Sequence, residues 1–117
     1  MAVDSGADVD TGRAPISDTD VVARSLDLYA ATFDLMVDSR KPTVVVRMQR
    51  AYGDLHDAVK AHAPWAMPEL NNLLLALAES IRLLQADQQE LDRARRDHAT
   101  ALLSLRRFLA DSSPPWP

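Results

Sequence analysis

From Pro68 to Ala110 the chain runs without a glycine or an internal proline. A row of residues recurs along it at intervals of four and three: Leu70, Leu74, Leu77, Ile81, Leu84, Gln88, Leu91, Arg95, His98, Leu102, Leu105 and Leu109. That is a heptad seam, and such a seam needs another helix beside it. The phase holds through the charged stretch QQELDRARRDH, Gln88 to His98, where Leu91 is the only large aliphatic. Two helices parted by a turn would share one phase only by coincidence. The spacing therefore predicts one continuous third helix of about 42 residues, about 63 Å long. The alternative is a break near Asp87. There Asp87-Gln-Gln-Glu90 has the form of a capping box, with Asp87 as N-cap and Glu90 reaching back. That reading gives an up-down four-helix bundle.

Two shorter helices precede this segment. The first is expected from about Asp18 to Ser39, with Val22, Leu26, Tyr29, Phe33 and Met36 at helical spacing. The second starts at Pro42, whose missing N–H is harmless in a first turn. It carries Val45, Met48, Tyr52, Leu55, Val59 and His62 on one stripe. The run TVVVRM has strand-like composition, but a lone strand would have no pairing partner. The fold class is thus all-α: an antiparallel helical bundle in which a helical hairpin packs on a long third helix. Residues 1–17, rich in Asp, Gly, Ala and Ser, are expected to form a disordered acidic leader. Residues 18–110 form the helical bundle domain, and residues 111–117 a proline-rich tail that closes on Pro114-Pro115-Trp116-Pro117.

A long third helix has a consequence for partners. Each of the first two helices spans only half of it, which leaves Leu102, Leu103, Leu105, Phe108 and Leu109 without cover. Burying a Leu or Phe stabilises by roughly 1.5–3 kcal/mol, so such an end favours association with a second chain. Self-association as a dimer through a coiled-coil-like seam is therefore expected. Arg95 and His98 sit on this seam, expected either to mark a solvated charged waist or to set register as polar seam residues. Trp116, a large aromatic in a proline-rich context, is a candidate for docking into a groove. Trp65, in the turn HAPWAMP, is expected to cap the bundle end. Gly53 either permits a close helix approach or is simply tolerated inside the second helix.

Charge is uneven along the chain. Residues 1–39 hold eight acids against Arg13 and Arg24, while the remainder holds eleven bases against nine acids. A nearly neutral body argues against nucleic acid as the main partner, since such binders usually show a strongly basic face. Arg93, Arg95, Arg96, Arg106 and Arg107 keep a nucleic-acid-associated regulator open as a third reading. Cysteine is absent, which excludes thiolate chemistry and disulfides. His56 and His62 are six residues apart and face different sides of a helix, so no metal site and no cofactor are expected. The N-terminal stretch lacks a basic start and an apolar core, and no run approaches the ~20 residues of a membrane span. A soluble cytoplasmic protein is expected, with no membrane contact.

The spacing Arg93-x4-His98 resembles the R-x4–6-H signature of HEPN-type ribonucleases, small all-α domains that often dimerise over that motif. Arg50 and His56 give a second match. The resemblance covers the motif alone and implies, as an alternative, a dimeric ribonuclease using Arg93 and His98. The order helix, Trp-containing turn, helix is faintly similar to WxG-type secretion substrates, but the glycine is missing and a leading helix is added. No phosphate loop, nucleophile elbow or Ser/His/Asp arrangement is present. The function expected from the sequence is a non-enzymatic interaction protein, an adaptor, regulator or accessory subunit acting through helix–helix contacts.

Overall fold

A computed structural model describes residues 18–111. The expected leader lies outside the described residues, and so does the tail beyond Asp111, with Trp116. The described chain forms α1 (Asp18–Ser39), α2 (Pro42–His62), a single 3-10 turn (Pro64–Ala66), α3 (Met67–Arg82) and α4 (Gln88–Asp111). The helices pack α1 on α2 and α3 on α4, so the chain is an all-α bundle built from two antiparallel hairpins. No strand forms among the described residues, and TVVVRM lies inside α2.

The long third helix is not what forms. The chain leaves the helix after Arg82, turns through residues 83–87 and restarts at Gln88. The Asp87 carboxylate accepts a 2.9 Å hydrogen bond from the Glu90 N–H, and the Asp87 carbonyl accepts from Leu91 N–H at 3.2 Å. This is the N-cap geometry, and the Glu90 amide holds the Asp87 carboxyl below the usual carboxylate range. The turn also keeps burying side chains, since Leu83 and Leu84 are both nearly inaccessible. Folding back covers the second half with the chain's own helices. A straight helix would leave that half bare, and intramolecular burial outweighs the few helical hydrogen bonds lost at the turn.

The unbroken seam has a physical explanation in the burial pattern. Leu70, Leu77, Leu84, Leu91, His98 and Leu105 are all buried, each seven residues after the last. The interleaved members are not: Leu74, Gln88 and Arg95 are exposed, while Ile81, Leu102 and Leu109 are half-buried. Each helix turns one member per heptad into the core of its own bundle. The turn happens to preserve that phase.

The rest of the core follows the expected stripes. Val22, Leu26, Tyr29, Phe33 and Met36 of α1 are buried, as are Met48, Leu55 and Val59 of α2. Val44 and the small Ala51 and Ala58 complete the buried face of α2. Val45, Tyr52 and Trp65 pack partly buried against this core, and Trp65 does so from the 3-10 turn. A Cβ added at Gly53 would meet nothing within 4 Å, so that glycine permits no close approach. Two buried aliphatic hydroxyls stay within their own helices: Thr32 donates to the Leu28 carbonyl at 2.7 Å and Ser80 to that of Ala76 at 3.0 Å.

Candidate functional site

The most distinctive chemistry lies where α1 meets α4. His98 is 2% exposed, and its Nε2 lies 2.6 Å from the hydroxyl of the fully buried Tyr29. The Phe33 ring stacks on the imidazole with centroids 3.5 Å apart and planes within 1°. Tyr29 stacks less closely, at 5.5 Å and 19°. Burial penalises the charged imidazolium and pushes His98 down to about 4. It raises Tyr29 far above the ordinary phenol range. At neutral pH both groups are therefore uncharged. The phenol donates to Nε2 when the ring proton sits on Nδ1. His98 is thus a satisfied polar residue in an aromatic stack.

A groove of about 500 Å³ opens above this stack, between Ala30, Phe33 and Asp34 of α1 and Asp92, Arg95, Arg96, His98, Ala99 and Leu102 of α4. A second recess continues it past Asp34 and Arg95 toward Asp38, Arg40 and Gln88. The rim carries both signs. Arg95 pairs with Asp92 at 3.6 Å on its own helix, and Arg106 with Asp27 across the seam at 3.3 Å. At the far end the Arg40 guanidinium donates to Gln88 Oε1 at 2.6 Å, and Gln85 donates to the Arg40 carbonyl at 3.2 Å. Arg40 has φ 57°, a left-handed conformation at the end of α1 that is unusual for a residue with a side chain. These contacts tie the α1–α2 turn to the α3–α4 turn.

The sequence candidates separate in this geometry. His98 and Leu105 are buried in their own chain, so neither is open to a partner. The bare apolar end expected of a long helix is therefore largely covered. Leu102 and Leu109 are half-buried against the core, and only Leu103 (48%) and Phe108 (36%) stay open. Arg95 is exposed on the groove rim rather than in a helix–helix seam. Arg93 and His98 are not brought together. Arg93 is exposed near the Glu79 and Asp87 carboxylates, whereas His98 points at α1. Arg50 is exposed on α2, and His56 sits beside Asp57 at 3.5 Å. Among the described residues no three His, Asp or Glu side chains converge as a metal ion would need. None of the described helices is long and apolar enough to cross a membrane.

What sequence reasoning missed is the outward side of α1. Asp20-Val21, Asp27-Leu28 and Asp34-Leu35 repeat at seven-residue intervals. All are exposed except the half-buried Val21, with Leu28 at 57% and Leu35 at 40%. The signal is a second heptad phase on a helix whose first phase already accounts for the core. No protein-family model, no curated protein and no solved structure matches this chain, so its function has to be read from its own residues.

Proposed function

We propose that this chain is a non-enzymatic interaction protein that presents preformed helical faces to another chain and that it self-associates. The observation that carries the reading is the exposed leucine pair on α1, Leu28 and Leu35, two turns apart on one side of a helix. Single exposed leucines are ordinary, but a pair in heptad register is the form of a helix-docking seam. The neighbouring residue Ala31 is exposed and small, so a second helix can approach closely there.

The test is retention on an immobilised chain. The wild-type protein should retain a protein ligand, either its own copy or a heterologous one. Replacing Leu28 and Leu35 together by Glu should abolish that retention while the melting temperature stays unchanged, because both side chains face solvent. Equal retention by the variant removes the reading.

A further inference from the structure

We infer that the partner is a second copy of this chain, docked crosswise so that the acidic outer face of α1 lies against the basic outer face of α4 in the other copy. The inference rests on the interaction reading above and names its surface and its partner.

The two faces are chemically complementary. The outer side of α1 carries Asp20, Asp27, Asp34 and Asp38 against one base, Arg24, beside Leu28, Ala31 and Leu35. The outer side of α4 carries Arg96, Thr100, Leu103 and Arg107 at intervals of four, three and four, and all four are exposed. One face is a leucine seam railed by carboxylates. The other is a leucine railed by guanidiniums. Arginine suits such a contact because its planar fork matches a carboxylate and its stem covers apolar surface.

The faces also match in height. Two contacts fix α1 against α4 within one chain, Asp27 with Arg106 and Phe33 with His98, and Arg40, just past the end of α1, meets Gln88 at the start of α4. The partners climb on α1 as they descend on α4, so the helices are antiparallel. Interpolating between these contacts places Asp34 level with Arg96. Ala31 falls level with Thr100 and Ala101, and Leu28 with Ser104 and Leu105, less than one helical turn from Leu103. Arg107 falls between Asp20 and Asp27. A two-fold axis parallel to the helices, running along the groove between α1 and α4, preserves those levels. It carries α1 of each copy onto α4 of the other. Asp34 then faces Arg96 and Asp27 faces Arg107 in each of two equivalent contacts, in the self-complementary manner of a two-fold interface. An apolar strip of Leu28, Ala31 and Leu103 is enclosed between the charged rails, as charged positions flank the seam of a coiled coil.

Charge reversal tests this with its own rescue. One variant carries Asp27→Arg and Asp34→Arg; the other carries Arg96→Asp and Arg107→Asp. All four side chains are exposed, so far-UV circular dichroism and melting should show both variants folded. Sedimentation equilibrium of the wild type should approach twice the 12.9 kDa chain mass. Each variant alone should weaken dimerisation by more than about tenfold. Mixed one to one, they should recover the dimer, because each then offers the charge that the other lacks at both contacts. Ala31→Glu, at the centre of the enclosed strip, should also dissociate the dimer and gives a second probe. A wild type that stays monomeric at all concentrations overturns the inference, as does a dimer that survives both reversals or a mixture that fails to recover. If the wild type is monomeric yet still retains a heterologous protein that the Leu28/Leu35 variant loses, the docking face on α1 stands, and self-association fails together with this inference.

Discussion

The two hairpins of this bundle turn by different means. Between α1 and α2 the chain reverses over Arg40 and Lys41, with Pro42 at the first helical position. Between α3 and α4 it reverses through residues 83–87, which contain neither glycine nor proline. A proline removes a backbone donor and cannot be carried inside a helix without loss, so it marks a boundary in any context. The α3–α4 turn has no such residue. Its marker is Asp87, whose side chain competes with helix continuation only when burial elsewhere favours the turn. One boundary is a local property of the residues, and the other is decided by what the second half packs against.

The largest expected effect tests whether the second hairpin is as integral to the core as the first. Leu55 and Leu105 are both fully buried, one in each hairpin. Leu105→Ala should destabilise by about 2–5 kcal/mol, in the same range as Leu55→Ala. Urea unfolding measures both. A cost near zero for Leu105 would mean that α4 does not fold back on this core.

Next in size is the pH response of the α1–α4 stack. The folded-state pKa of His98, about 4, lies below its unfolded value near 6.5. Between these values the unfolded chain binds a proton that the folded chain does not, so stability is lost as pH falls through that window. The loss amounts to about 3 kcal/mol, complete below pH ~4. His98→Phe should flatten this dependence between pH 6.5 and 4. It should also destabilise at pH 7, by about 1–3 kcal/mol, since it strands the buried Tyr29 hydroxyl. Urea midpoints at a series of pH values read both effects. An unchanged slope in the variant would assign the acid response to other groups.

A smaller effect compares the two helix starts directly. Lys41 precedes α2 and makes no side-chain cap, whereas Asp87 accepts from the Glu90 amide. Asp87→Ala should lower the melting temperature clearly. Lys41→Ala should stay within about 0.5 kcal/mol of wild type. Equal effects would mean that Asp87 plays no part in stopping α3 from running on. The last expected change is a gain. Gly53→Ala adds a Cβ into open space in the middle of α2 and should stabilise by roughly 0.5–1 kcal/mol.

The first hairpin is legible in the sequence because its apolar stripe and its proline agree. The expected bounds, about Asp18 to Ser39 and a start at Pro42, are the bounds that form. The second reads as one helix only when phase is taken for continuity. Leu84, inside the turn, and Leu91, beyond it, are seven residues apart, and both are buried in the core. A heptad interval in sequence records which residues are buried, not whether the backbone between them is helical. The capping box at Asp87 holds the correct answer, but a cap competes on equal terms with an uninterrupted helix until tertiary contacts are counted. The spacing puts His98 on a seam as a polar residue. Its partners, Tyr29 and Phe33, are far away in the chain, and no local pattern announces them.

That distance has a kinetic meaning. Tyr29 and His98 are 69 residues apart, whereas each hairpin closes over a single short turn. Closing the longer loop costs more chain entropy before any contact repays it. The hairpins therefore form early and the α1–α4 seam closes late. Lesions in the seam should accelerate unfolding and leave the folding rate nearly untouched, while lesions such as Leu55→Ala within a hairpin should slow folding. Stopped-flow chevrons of His98→Phe and Leu55→Ala read the two limbs separately. The seam that carries the chain's most distinctive chemistry is then also the first part of the bundle to open.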